Sequence, residues 1–300
     1  DWNVSIGTTA TDEATGTHDV TADPDAAIVD EVQYKGAVKG DDYTLVGTVM
    51  VKGTGELLLD AEGNPVTASK DFTAADTMGK ESLELPIGDC NLAEGQELVV
   101  FEKLYKKDSG NDAIASHEDL NDEGQTVTVH SPKGKTEAKG PDGEKTIPAD
   151  EKVTIVDTVS YENLVVGKKY KSIGTLWVKE TGEALLDAEG NQVTASTEFT
   201  PKDTYGTVDV IFELDASLLG GTELVAFEKV DRDGKTVFTH EDINDESQSV
   251  EIGQPGIGTK LLDSLDGDKS VSADTQAKVT DEVDYKNCLL YTSDAADDKA

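Results

Sequence analysis

Two stretches of this chain carry a histidine, an aspartate and a glutamine in one register: His117-Glu-Asp-Leu-Asn-Asp-Glu-Gly-Gln125 and His240-Glu-Asp-Ile-Asn-Asp-Glu-Ser-Gln248. The sequence holds only 4 histidines, so a pair kept in step with acids and a carboxamide marks where chemistry is to be sought. Each stretch follows an apolar run that ends in an acid, Leu98-Val-Val-Phe-Glu102 and Leu224-Val-Ala-Phe-Glu228. A carboxylate behind four apolar residues is costly to bury unless a partner or a proton compensates it, so Glu102 and Glu228 need a reason. A neutral imidazole accepts protons near neutral pH, and beside carboxyl groups it can activate a weak nucleophile.

The surroundings of these stretches recur as well. Ile28-Val-Asp-Glu-Val-Gln-Tyr34 matches Ile155-Val-Asp-Thr-Val-Ser-Tyr161, Val46-Gly-Thr48 matches Ile173-Gly-Thr175, and Leu59-Asp-Ala-Glu-Gly-Asn64 matches Leu186-Asp-Ala-Glu-Gly-Asn191, all at an offset of 127 residues. From His117 to His240 the offset is 123, so the second copy has lost a few loop residues. A third copy starts at Ile257-Gly-Thr259, reaches Val279-Thr-Asp-Glu-Val-Asp-Tyr285 and then stops matching. Units of this length bury their own cores rather than stacking as solenoid turns. They predict beads on a string: one over 1–131, a second over 132–253 and the start of a third over 254–287. Residues 288–300 break the pattern and resemble translated read-through of a sequencing adapter, so they are set aside from the fold, and Cys288 with them. Within each unit short alternating runs, such as Tyr43-Thr-Leu-Val-Gly-Thr-Val-Met-Val51 and Val208-Asp-Val-Ile-Phe-Glu-Leu214, lie between Gly, Asn and Asp turns. Period two with β-branched enrichment predicts an all-β fold of tandem immunoglobulin-like β-sandwich domains.

Composition excludes several functions. Sixty-two acids against 26 bases give a formal charge of −36, which repels nucleic acid and anionic membrane. No apolar run approaches the roughly 20 residues of a membrane span. Residues 1–25 lack the basic start and apolar stretch of a signal peptide, so any signal or anchor is expected outside this chain. Cys90 and Cys288 lie in different repeats and the second repeat has no cysteine. Sandwiches without disulfides, and with few aromatic residues, leave room for another covalent staple.

Phe-Glu followed by His-x-x-x-x-Asp-x-x-Gln resembles the VaFE repeat, the intramolecular ester-bond domain of Gram-positive surface adhesins. It stands here as Val99-Val-Phe-Glu102 and Val225-Ala-Phe-Glu228 with the two His-to-Gln segments, and the likeness covers both complete units and the third fragment. What it implies is a sandwich in which a first-strand threonine is joined to a last-strand glutamine. Carried across, the acyl donors are Gln125 and Gln248, and the catalytic residues are His117, Asp122 and Glu102 in one unit and His240, Asp245 and Glu228 in the other. Ile6-Gly-Thr-Thr9 offers Thr8 and Thr9; Ile257-Gly-Thr-Lys260 retains only Thr259, which favours Thr8. In the second unit Lys135-Thr136-Glu-Ala138 offers Thr136, in a stretch that departs from the Ile-Gly-Thr pattern. The resemblance further implies an extracellular role on the bacterial cell wall, as the monomeric stalk of an adhesin that meets its host or matrix ligand through a domain outside this chain. It calls for no cofactor and no metal.

The chemistry can be stated without the family. A threonine hydroxyl needs a base to become a nucleophile. A carboxamide is a poor acyl donor until its oxygen is polarised, and two carboxyl groups forced together in an apolar setting retain a proton that can do this. Glu102 with Asp122, and Glu228 with Asp245, are the pairs expected. Folding supplies proximity, with effective molarities of about 10⁵ M or more. The event happens once per domain, so the protein is not an enzyme in the turnover sense.

Other readings attach to other residues. Asp60-Ala-Glu-Gly-Asn64 and Asp187-Ala-Glu-Gly-Asn191 carry oxygen ligands at alternate positions but lack the later bidentate glutamate of a calcium loop, and read better as hairpin turns. His18 and His130 have no repeated partner and are assigned to the surface. Cys90 is read as an incidental thiol, and Trp2 and Trp177, which do not align, as packing residues. The alternatives to a self-cross-linked stalk are a Lys–Asn/Asp isopeptide sandwich using Lys135 in unit two, a direct ligand-binding adhesin module without a cross-link, and a hydrolase built on the His and carboxyl cluster.

Overall fold

Alternation of apolar and polar residues decides which side chains each strand buries, and in this protein it builds one sandwich twice. The computed structural model describes residues 3–273 and 275–287. Trp2, Cys288 and the set-aside tail lie outside the described residues. The first repeat runs through β1 (Ser5–Asp12), β2 (Asp19–Thr21), β3 (Ala27–Lys35), β4 (Asp42–Val51), β5 (Glu56–Leu57), β6 (Thr67–Thr73), β7 (Met78–Pro86), β8 (Glu97–Lys106), β9 (Ala115–His117) and β10 (Thr126–His130). The second follows the same course through β11 (Lys133–Lys139), β12 (Thr146–Pro148), β13 (Val153–Glu162), β14 (Tyr170–Val178), β15 (Glu183–Ala184), β16 (Thr194–Phe199), β17 (Gly206–Leu214), β18 (Glu223–Arg232), β19 (Lys235–His240) and β20 (Ser249–Gly253). β21 (Gly256–Asp263) and β22 (Val279–Lys286) form an antiparallel pair corresponding to β1 and β3 alone.

Each repeat packs a three-stranded sheet, β1-β3-β7 or β11-β13-β17, against a larger one centred on β10-β8-β4 or β20-β18-β14. The fold is thus all-β, tandem immunoglobulin-like sandwiches. The stripe Ile28, Val32, Tyr34 of β3 and the stripe Leu98, Val100, Leu104 of β8 meet in one core, and Ile155, Val159, Tyr161 meet Leu224, Ala226, Val230 in the other. The aromatic contacts repeat too: Tyr34 lies 5.2 Å from Phe72 between ring centroids and Tyr161 lies 5.3 Å from Phe199. Trp177 stacks on Phe227 at 5.1 Å, in keeping with a packing role. No helix among the described residues is long and apolar enough to cross a membrane.

The Asp60-to-Asn64 segment is a turn. Asp60 accepts from the backbone N–H of Glu62 at 2.9 Å and of Asn64 at 2.8 Å, and Asp187 does the same for Glu189 and Asn191. Gly63 and Gly190 hold φ of +87° and +85°, a region that favours glycine. The carboxylates that a cation would need therefore already cap their own backbone.

The strand bearing the threonine and the strand that follows the glutamine's 3-10 turn end up in opposite sheets. β1 belongs to the small sheet and β10 to the large one, so a bond between them would tie the two layers together. The same holds for β11 and β20.

Candidate functional site

Period two also dictates what faces inward at the ends of the strands. Along β1 the core face takes Ile6, Thr8, Ala10 and Asp12, which leaves Thr9 exposed on the other face. In β11 Thr136 and Ala138 are buried while Lys135 and Glu137 are exposed. Register aligns the repeats: Thr8 pairs with Val32, Thr136 with Val159 and Thr259 with Val283. Thr136 therefore occupies the position of Thr8 despite its altered surroundings. Lys135 points to solvent, away from any interior acyl group, which overturns the isopeptide alternative for the second unit.

On β8 the alternation Leu98, Val100, Glu102, Leu104 sends Glu102 into the core, and Glu228 follows it on β18; both are fully buried. Their partner differs from the one expected. The buried acid beside Glu102 is Asp30 of β3, and beside Glu228 it is Asp157 of β13. The expected pairs Glu102–Asp122 and Glu228–Asp245 are corrected accordingly. Asp122 sits at the start of a 3-10 turn, Glu123–Gln125, where one oxygen accepts from Gly124 N at 2.8 Å and the other meets His117 Nε2 at 2.7 Å. Asp245 repeats this with Ser247 N at 2.8 Å and His240 Nε2 at 2.8 Å. Those bonds stabilise the charged form: the hydrogen bond from His117 holds Asp122 below the usual carboxylate range, and Ser247 with His240 lowers Asp245 to about 2.

The inner acids are shifted the other way. Burial, followed by the neighbouring Asp30, pushes Glu102 up to about 11, and burial, followed by Asp157, pushes Glu228 up to about 9. Burial also raises Asp30, and raises Asp157 to about 6. Ser172 accounts for part of the difference between repeats, since it donates to Glu228 Oε2 at 2.9 Å whereas the first repeat has Leu45 in its place. Apart from the facing acid and the Thr8 or Thr136 hydroxyl, no donor reaches Asp30 Oδ2, Glu102 Oε1, either oxygen of Asp157 or Glu228 Oε1. Facing carboxyl groups without other donors are satisfied by a proton held between them. Gly174, opposite Glu228 in the β14–β18 register, makes room for the acid; a Cβ there would collide with Glu228 Oε1 and the Phe212 ring.

The glutamines complete the site, both fully buried. Gln248 Nε2 donates to Ala226 O at 2.6 Å, Thr136 Oγ1 at 3.0 Å and His240 O at 3.1 Å, while its Oε1 has no donor. Gln125 takes the matching orientation when its Nε2 donates to Val100 O, to Glu102 Oε2 at 2.9 Å and to Thr8 Oγ1 at 2.9 Å. The reverse orientation offers one bond, to Asp30 at 3.3 Å, and is disfavoured. With the amide so placed, its oxygen lies on the Asp30 side and against the Thr8 hydroxyl. His117 pairs across from Glu102, and His240 from Glu228, and the histidine strands pack against the threonine strands β1 and β11.

One more group holds the glutamine turn. Lys145 Nζ donates to Ala138 O at 2.7 Å on the threonine strand, and to Ser247 O at 2.7 Å and Ser249 O at 3.1 Å on either side of Gln248. His18 occupies the same place in the first repeat, its Nδ1 3.0 Å from Thr126 O. His18 is exposed, as expected, but it is not without an equivalent. His130 is half-buried, with its Nε2 2.9 Å from Asp19, and Cys90 is half-buried and unpaired. Asp263, Asp266 and Asp268 of the third fragment bring carboxylate oxygens within 4.8 Å of one another, and Asp263 accepts from Leu265 N at 2.8 Å within its own turn.

What both sites can do is acyl transfer. A hydroxyl touches a carboxamide, a proton-bearing acid pair lies beside them, and a histidine oriented by an ionised aspartate stands on the adjoining strand. Each sandwich holds the complete set.

The model of a family described as T-Q ester bond containing domain matches residues 4–129, 132–252 and 255–291. No curated protein matches the chain. Among solved structures it is similar to a bacterial adhesin from Mobiluncus mulieris containing intramolecular disulfide, isopeptide and ester bond cross-links. In one crystal form the identity is 12%, over 94% of this chain and 92% of that one, at a TM-score of 0.38; in another it is 14%, over 93% of each, at 0.36. The C-terminal domain of the Streptococcus agalactiae AgI/II polypeptide BspA is 11% identical, over 82% of this chain and 98% of that one, at 0.36. Likenesses this distant place no residue here.

Proposed function

The chain belongs to the T-Q ester bond containing domain family, and on that premise we propose that each complete repeat cross-links itself once, Thr8 to Gln125 and Thr136 to Gln248. Thr Oγ1 attacks the side-chain carbonyl carbon of the glutamine, an ester C–O bond forms, the C–N bond breaks, and the nitrogen leaves as ammonia with the hydroxyl proton. His117 or His240 takes that proton, held in orientation by Asp122 or Asp245. The Asp30–Glu102 or Asp157–Glu228 pair donates its retained hydrogen to the amide oxygen as charge develops there. The observation that carries this reading is the buried contact of Thr136 Oγ1 with Gln248 Nε2 at 3.0 Å, from the first strand of one sheet to the turn that opens the last strand of the other.

The role that follows is a structural stalk. Tandem units closed between first and last strands put a covalent bond in the path of a force applied at the termini, where hydrogen-bonded ladders alone would shear. Such a stalk suits an extracellular bacterial adhesin that carries its binding domain elsewhere. The intact mass of the denatured protein, with peptide mapping of each repeat, tests the chemistry: the expected result is a deficit of two ammonia molecules located at Thr8–Gln125 and Thr136–Gln248. Full sequence mass in a folded sample would refute it.

Lys145 supplies a second test within the same molecule. By tying the Thr136 strand to the Gln248 turn it helps hold hydroxyl and carboxamide together before they react. Lys145→Met should slow ammonia loss in the second repeat, by as much as ~10²-fold if the groups drift by about 1 Å, while the first repeat serves as internal control. Equal rates in the two repeats would show that the ammonium is dispensable.

A further inference from the structure

The chain contains a single arginine, Arg232, and it is spent between repeats. Its side chain is 5% exposed and meets Asp23, 2% exposed, on the turn between β2 and β3 of the first repeat. The guanidinium also grips Asp25 through both nitrogens, Nη1 to Oδ1 and Nη2 to Oδ2, the latter at 2.6 Å. Tyr170 Oη donates to the other oxygen of Asp23 at 2.6 Å, and the guanidinium lies 5.7 Å from the Tyr170 ring centroid. Around this centre Lys168 reaches Asp25 at 3.3 Å, Lys235 pairs with Asp89, and Asn163 Nδ2 donates to Ser131 O at 2.9 Å.

Apart from the stacking of the guanidinium on Tyr170, which lies within the second repeat, every one of these contacts has its acceptor on the first repeat and its donor on the second. Comparison of equivalent positions explains the direction. In the first repeat Lys106 stands where Arg232 stands and is neutralised by Asp41 of its own sandwich at 2.5 Å. In the second repeat the place of Asp41 is taken by Lys168, so two cations face each other and need acids from elsewhere. The turn of the first repeat brings two. The second repeat's own version of that turn has Asp150 and Lys152 where the first has Asp23 and Asp25, so it does not offer the same pair to a following unit.

We propose that the first two repeats dock as one rigid body through this polarised surface, an acidic turn of the leading repeat seated in an Arg–Tyr–Lys socket of the following one. Consecutive domains joined by short linkers ordinarily move relative to each other unless their interface is built to prevent it. Here the linker between β10 and β11 is only Ser131-Pro132, and a bidentate, desolvated arginine demands one geometry in a way a rim lysine does not. The docking is independent of the ester chemistry.

The test is a distance distribution between spin labels on the full chain, placed at Glu62 and Glu189, equivalent exposed positions of the two repeats, in a background with Cys90 and Cys288 changed to serine. The wild-type junction should give one narrow distribution. Arg232→Ala should broaden it several-fold. Asp25→Lys, which the turn tolerates because the second repeat carries Lys152 there and because the Asp25 side chain is 48% exposed, should broaden it too by setting a cation against Arg232 and Lys168. Circular dichroism confirms that each variant's sandwiches remain folded, and Asp25→Lys decides the matter should Arg232→Ala misfold. A broad wild-type distribution, or a narrow one that survives Asp25→Lys, would overturn the proposal.

Discussion

Thr136→Val should leave the second repeat folded, uncross-linked and about 4.7 kcal/mol less stable, the loop-closure value for a span of roughly 100 residues in the chain-entropy treatment of covalent links. The residues that the proposed ester would join are 112 positions apart, so the estimate applies with little extrapolation. For a domain of this size that loss corresponds to a fall in Tm of about 20 °C, taking an unfolding entropy of about 2.1 cal/mol/K per residue. Valine keeps the β-branched shape that the strand favours. Gln248 Nε2 also retains Ala226 O and His240 O when the hydroxyl is gone, so little of the change would come from a cavity or an orphaned amide. Calorimetry on the full chain, with the mass of each repeat measured in parallel, checks it. The second transition should move down while that of the first repeat stays. A valine variant that melts with the wild type would mean that no bond was there to lose.

Much of this site was legible in the sequence, and the part that was not follows from how strands hide information. The His-to-Gln segments and the Phe-Glu acids stand out because two copies preserve them in linear order. Asp30 and Asp157 were also in plain view, within Ile28-Val-Asp-Glu-Val-Gln-Tyr34 and its copy, but there they serve equally well as markers of the repeat. The signal that distinguishes them is the stripe Ile28, Asp30, Val32, Tyr34: one acid on an otherwise apolar face of period two. Reading the face would have paired Glu102 with Asp30 and left Asp122 free for His117. Thr136 posed the opposite difficulty, since its register depends on pairing with Val159 across the sheet, which no local pattern around it states. The junction needed both repeats at once. Arg232 and Lys168 become informative only when set against Lys106 and Asp41, whose charges balance within one sandwich.

Glu228→Gln should slow ester formation in the second repeat by about 10²–10³-fold, the loss typical of removing one preorganised donor to a developing oxyanion, because the amide can no longer share the acid proton with Asp157. The pair also leaves a signature in pH. Glu228 rises from an ordinary value of 4.5 to about 9 and Asp157 from 3.8 to about 6, so between those limits the folded repeat binds more protons than the unfolded chain. By linkage its unfolding free energy then falls as pH rises. The stabilisation is fully present below about 4 and is lost as pH climbs through the folded values toward about 9. Asp122 and Asp245 act with the opposite sign, but only in acid, where their lowered values lie, so the two effects occupy separate windows. Urea denaturation of Thr136→Val from pH 5 to pH 9, beside the Thr136→Val/Glu228→Gln double variant, isolates the inner pair: the single variant should lose stability across that range more steeply than the double. The cross-linking rate should share this alkaline loss, failing at lower pH in the second repeat than in the first, where Leu45 replaces the donor Ser172 and Glu102 keeps its proton longer. Parallel profiles for the two variants, or an upper limit common to both repeats, would remove the shared proton from the mechanism.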